Sequence, residues 1–405
     1  MQYLLENIHR IYSPSVTHPH RIDLLAGDAL LMAEGRIAAI GTAGELARAP
    51  GITRVSAEGG IVTPGFVDSH QHPLFGAHRH EEFEQRNQGS SYREIAAAGG
   101  GIRASVRSLR TATSEQLKTG LRKRWRECLD CGTTTFEGKS GYGLNLEQEL
   151  RSLRLLGEVA AEEGFTVVRT LLAAHDVPDE YRERREDYIS LIIEEILPAA
   201  RQEGLADCTD IFCEEGVFSV EESRRILTAS LDLGIPVRLH ADQLSASGGA
   251  RLAAELGALS ADHLEQIDSA GIEALQKAGV IALLLPGSTC FLRMQQYAPA
   301  RELIAAGCVT ALATNLNPGS GMFVSLPLIM HLACLQLQLT SSEALWAATM
   351  GGARVLQLAD RKGALTVGYD ADLLVWDVRE PAEIPYQPNI RPQQVWLSGR
   401  QVIRR

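Results

Sequence analysis

The chain has 405 residues, 45% of them hydrophobic, with 50 acidic side chains against 39 Lys and Arg and a formal charge of −11. That length holds one large core with a second small one, because single cores stop growing at about 250–300 residues. The negative balance excludes general affinity for nucleic acid or an anionic membrane, both of which would repel it, and leaves a small molecule as the expected partner.

The opening residues, MQYLLENIHRIYS, place Glu6 too early for the apolar core of a signal peptide. No apolar run reaches the roughly 18 residues that a membrane helix needs, so a cytoplasmic location is expected. Up to residue 58 the chain alternates in short stretches such as DALLMAEGRIAAIG, broken by glycine and polar turns, which predicts antiparallel strands. Residues 362–405, with KGALTVGYDADLLVWDV and QQVWLSGRQVIRR, carry the same pattern, and the two ends are expected to pair into one small composite β-sandwich. Residues 59–361 lie between them.

That central region contains eight short runs: IVTPGFVDSH, TTTFEGK, FTVVRTLLAAH, CTDIFCE, PVRLHA, ALSADH, VIALLLP and CVTALATN. Each is continuously apolar, as strands buried on both faces should be, and most precede a helical pattern. Capping boxes at Ser219 with Glu222 and Thr340 with Glu343 mark helix starts. The alternation predicts an α/β protein, a closed (β/α)8 TIM-like barrel beside the small sandwich. Seven cysteines in irregular spacing make no disulfide framework. The lone CxxC of Cys128 and Cys131 closes a helical stretch and is expected to pack against the barrel rather than bind metal.

Nearly every run ends in a chemically capable side chain: His70, Lys139, His175, Glu214, His240, His263 and Asn315. Barrel enzymes carry their chemistry on the C-terminal rim of the strands, so these groups should meet at one mouth. His70 and His72 are two apart in extended chain and point the same way. An HxH pair alone is weak evidence; with His240 it makes a three-imidazole site of the catalytic kind, with a position left open.

The segments PGFVDSHQH, FGAHRHEEFEQRNQGSSY, AAAGGGI, TTTFEGKSGYGL, AAHDVPDEY, IFCEEGVFSVEESR, HADQLSASGGA, SADH, LLPG and ATNLNPGS form a specific set. Through them the chain resembles, over essentially its whole length, the imidazolonepropionases, amidohydrolases of histidine degradation. It implies hydrolysis of 4-imidazolone-5-propanoate to N-formimino-L-glutamate with one divalent metal ion, zinc or iron. The family's metal ligands then fall on His70, His72 and His240, with the fourth position on Asn315. Arg79 matches the arginine that grips the substrate carboxylate, a task suited to a guanidinium fork, although a structural ion pair with Glu82 is its plainer role. Tyr92, Tyr142 and His175 match residues lining the substrate pocket, and His263 the histidine beside the attacking water. Gln243 stands where many relatives carry glutamate and can orient water or the ring amide.

Glu214 and Glu137 are read as supporting carboxylates rather than proton carriers. Some amidohydrolases carbamylate a strand-end lysine to bridge two metals, but the resemblance implies one metal, and Lys139 is read as a structural cation paired with Glu137 or another acid. His78 and His80 match nothing in the family pattern and read as exposed loop residues. A homodimer is the base-rate expectation for such an enzyme.

The departure is Asn315, where relatives carry an aspartate that both binds metal and accepts the water proton. Asparagine keeps the shape, but its neutral amide cannot take a proton at physiological pH. It fits a deliberate acid-to-amide replacement in an intact pocket. It also fits a divergent relative that acts on another cyclic amide or binds with little turnover.

Overall fold

In the computed structural model, which describes residues 2–47, 51–90, 94–95 and 99–405, the eight apolar runs contribute one parallel eight-stranded sheet. Its strands are β1 (Phe66–Asp68), β2 (Thr133–Lys139), β3 (Thr166–Ala174), β4 (Cys208–Cys213), β5 (Leu239–Ala241), β6 (Ser260–His263), β7 (Ile281–Leu284) and β8 (Thr310–Leu312). Every residue is buried in all of them except β3, whose first half is partly exposed. Helices cover the outside and side chains fill the inside, which is why these strands read as continuous rather than alternating hydrophobic runs.

The ring closes between β1 and β8, just beyond their ends. Asn315 N donates to His70 O at 3.0 Å and His72 N to Leu316 O at 2.9 Å. The Asp68 carboxylate pins the same seam, accepting from Thr314 N at 2.9 Å and Thr314 Oγ1 at 2.6 Å. Closure at this rim brings His70, His72 and Asn315 together although 243 residues separate Asn315 from His72.

The first run is divided, contrary to its reading as a single barrel strand. Ile61–Pro64 pairs antiparallel with Leu373–Trp376, while Phe66–Asp68 alone enters the barrel. Pro64 has no N–H to continue a ladder, and Gly65 passes so close to Thr134 that a Cβ would overlap its side chain. The chain changes sheets at this Pro-Gly pair.

The chain ends form two further sheets. One orders Arg36–Gly41, Ala29–Ala33, Gln2–Glu6 and Thr53–Ser56; the other orders Arg400–Arg404, Gln394–Leu397, Leu373–Trp376, Ile61–Pro64, Arg10–Pro14 and Ile22–Leu25. Leu5, Leu30, Met32, Val62, Leu373 and Trp396 join residues of both sheets in one apolar cluster. Both expected capping boxes are formed, Ser219 with Glu222 and Thr340 with Glu343. Cys128 and Cys131 are free and buried at the end of the helix Ser114–Asp130. Burial pushes both thiols above the usual cysteine range, consistent with packing rather than reactivity.

Trp346 ties the barrel to the N-terminal segment. It is fully buried and its indole N–H donates to Ser15 O at 3.0 Å. Trp346→Ala should therefore cost about 3–5 kcal/mol, from the cavity and the orphaned carbonyl together. A lower denaturant midpoint at unchanged slope is the expected result, with a smaller shift for Trp346→Phe.

Candidate active site

His70 and His72 leave β1 with their rings turned to the same side, as the two-residue repeat of extended chain requires. Their Nε2 atoms are 3.2 Å apart, and His240 at the centre of β5 brings its own Nε2 to 3.3 Å from that of His72. All three rings are buried, and their ligand atoms lie within 4.8 Å of one another. The far sides of two rings are backed by carboxylates: His70 Nδ1 donates to Asp262 Oδ2 at 2.7 Å, and His240 Nδ1 lies 3.0 Å from Asp210 Oδ2.

Burial, reinforced by the charge of Lys139, holds His70 well below the usual histidine range; burial and the neighbouring His175 do the same to His72. Neutral imidazoles protonated on Nδ1 carry their lone pairs on Nε2, where the three rings converge. Those donors fit a divalent cation: nitrogen ligands, dry surroundings and, for His70 and His240, outer carboxylates against Nδ1.

Above the triad opens a cavity of about 450 Å³, lined by His72, His240, His263 and Asn315 on the barrel side and by Arg79 and Tyr142 among others. Asn315 follows β8 with φ 51°, and its Oδ1 accepts from Asn317 Nδ2 at 3.0 Å. His263 ends β6 at φ 84°, with Nδ1 3.6 Å from Glu265 Oε1 and its ring centroid 5.3 Å from that of His240. His175 stacks on His72 at 4.9 Å and 20°, its Nδ1 donating to Gly141 O at 2.9 Å. Burial and the nearby His240 lower its pKa to about 3, so it faces the cavity as a neutral ring. Tyr142 sits 5.3 Å from His175, and Gln243 lines the same space.

Arg79 forms the ion pair with Glu82. Its Nε and Nη2 donate to the two Glu82 oxygens at 2.9 and 2.6 Å, yet the guanidinium also lines the cavity. Its Nη1 lies against Gly319, where a Cβ would overlap it. Tyr92 falls outside the described residues. Glu214 holds the loop after β5, accepting from Leu244 N at 2.8 Å and from the Ser245 hydroxyl. His78 and His80 are exposed.

Lys139 pairs with Glu137 as expected, at 2.9 Å, and also with Asp210 at 2.7 Å. An Nζ that donates to two buried carboxylates is placed as an ammonium, not as a carbamate bridging metals. Three residues of this layer escaped the sequence reading: Asp210, Arg238 and Asp262. The signal was present, since charged residues inside runs that must be buried on both faces require partners there.

A parallel barrel with three imidazoles that could hold a metal ion at its C-terminal rim is the architecture of the amidohydrolase class. The Amidohydrolase family model matches residues 61–402. Solved structures share the fold: a triazine hydrolase variant superposes with a TM-score of 0.78 at 17% identity, covering 100% of this chain and 95% of that one. The 5-methylcytosine deaminase of Klebsiella pneumoniae liganded with 5-fluorocytosine gives 0.76 at 18% identity, covering 100% and 98%.

Sequence relatives are nearer. The imidazolonepropionase of Myxococcus xanthus is 46% identical, covering 100% of this chain and 98% of that one. That of Bacteroides fragilis is 48% identical over 85% of this chain and 83% of its own length, and that of Symbiobacterium thermophilum 46% identical over 90% and 87%. The chain belongs to the imidazolonepropionases of the amidohydrolase family.

Proposed function

We propose that the chain hydrolyses the ring amide of 4-imidazolone-5-propanoate to N-formimino-L-glutamate, using one divalent ion, zinc or iron, at His70, His72 and His240. The observation that carries this reading is that Arg79 lines the same cavity as His72 and His240. An arginine lining one cavity with two of the three imidazoles suits a ligand with a carboxylate at one end and a cyclic amide at the other. The ion, when bound, supplies Lewis acidity toward the carbonyl and acidifies water.

The chain's own residues supply the rest. Arg79 holds the propionate, while Tyr142 and His175 bound the ring. Gln243 orients water or the ring N–H through its amide. Water adds its oxygen to the ring carbonyl carbon, the C–N bond breaks, and the departing nitrogen takes a proton. His263 is the group positioned to accept the proton from water and to return it. Asn315 offers an amide oxygen to the centre and no base.

Asn315 supports a second reading, a relative that binds the same substrate with little turnover or acts on another cyclic amide. All seven cysteines are free, which suits the cytoplasm that this reading gives the protein, and no helix among the described residues is long and apolar enough to cross a membrane. The test is incubation of freshly generated imidazolone propanoate with metal-quantified protein, following N-formimino-L-glutamate by mass spectrometry. Slow but metal-dependent product formation supports the first reading. Saturable binding without product supports the second.

A further inference from the structure

The barrel interior beneath the triad is charged. Lys139 and Arg238, at 0% and 1% exposure, lie among three buried carboxylates, Glu137, Asp210 and Asp262. Lys139 Nζ donates to Glu137 Oε1 at 2.9 Å and to Asp210 Oδ2 at 2.7 Å, and lies 4.0 Å from Asp262 Oδ2. Arg238 donates through Nη1 to Glu137 Oε1, and through Nη2 to Asp262 Oδ2 at 2.8 Å. Neutral donors take up further lone pairs: Thr170 Oγ1 on Glu137 Oε1 at 2.6 Å, Gln71 N on Glu137 Oε2 at 3.2 Å, and Ser260 Oγ on Asp262 Oδ1 at 2.5 Å.

The decisive detail is which oxygens the cations hold. Asp210 Oδ2 and Asp262 Oδ2, gripped by Lys139 and Arg238, are the same atoms that face His240 Nδ1 and His70 Nδ1. Each is shared between a cation and an imidazole.

We propose that Lys139 and Arg238 are positioning residues for the metal centre: by fixing the two aspartates they fix the proton of His70 and His240 on Nδ1 and leave Nε2 of each to the ion. The inference rests on the metal reading of the triad and not on the identity of the substrate. Removing either cation leaves a buried carboxylate short of its partner, and the carboxylate then moves toward the remaining donors. The imidazole it oriented moves with it. A cation pair that only stabilised the barrel would not need to contact the ligand-backing oxygens.

The test is competition for Zn²⁺ between a chelator of known affinity and the full-length chain, with folding followed by circular dichroism. Lys139→Met is expected to bind zinc about 10–100-fold more weakly than the parent, the usual effect of losing an outer-layer partner. Arg238→Lys should lose less than Arg238→Met, because it keeps the charge and gives up only the fork. Ser260→Ala, which removes one neutral bond from Asp262, should fold in any case and lose affinity by a few-fold. Parent-like zinc affinity in folded Lys139→Met, or in Ser260→Ala where the former does not fold, would overturn the proposal. A parent with no zinc affinity would instead remove the metal reading itself.

Discussion

Asn315→Asp is expected to raise kcat by about 10²-fold or more at equal metal content, since positioned general bases contribute typically 10²–10⁴-fold. Asn315 is 2% exposed, lines the cavity with His240 and His263, and accepts from Asn317 Nδ2 at 3.0 Å. A carboxylate of the same shape keeps that bond and gains the ability to take a proton. It would also add a charged oxygen beside the imidazole triad where the metal would be held, so metal retention against a chelator should improve. KM should change little, because Arg79, the residue proposed to grip the propionate, is untouched. Equal kcat in both forms would mean that His263 alone carries the proton and that the amide costs nothing. No turnover by either form at full metal occupancy would move the search to other cyclic amides.

Arg79→Ala should raise KM by about 10–150-fold, the range expected for about 1.5–3 kcal/mol from a hydrogen bond to a charged group. The guanidinium is preorganised: Glu82 takes Nε and Nη2, and Glu82 Oε1 also accepts from Gly101 N at 3.1 Å, so the arm is braced from the N-cap of the helix Ile102–Thr111. Lysine cannot hold that fork and reach a second carboxylate together, so Arg79→Lys should recover little. An unchanged KM would leave Arg79 as a structural brace and remove the tail-binding role. Truncated substrate without the propionate separates the cases further, because its KM should be insensitive to the substitution.

The parts of this architecture that were legible in the sequence are those with a strict local signature. Strands buried on both faces are mostly apolar, with any charge paired inside, and each barrel strand lies within one of the eight runs so identified. His70 and His72 announced themselves by alternation; His240 was read as ending its strand, although it sits at the centre of β5. What lay hidden depends on contacts across the barrel. Lys139 could be paired with Glu137 because both sit on one face of β2, two residues apart. Nothing local says that Asp210 on β4 and Asp262 on β6 back two different imidazoles, or that Arg238 links Asp262 to Glu137. The division of the first run at Gly65 was equally invisible, since a strand that leaves one sheet for another stays apolar on both sides of the break. Glu214 was placed correctly as a supporting carboxylate, yet what it supports is a loop rather than a ligand.

Asn315 holds a left-handed backbone conformation, φ 51°, that among side-chain-bearing residues asparagine and aspartate adopt most readily. Exchange between these two is therefore a change the backbone does not register. A chain carrying it would be synthesised, folded and spared by proteases like any intact member of its family, because quality control reads exposed apolar surface and not proton affinity. Loss of chemistry at this position leaves the backbone untouched, and assays of product and of metal retention are what would reveal it.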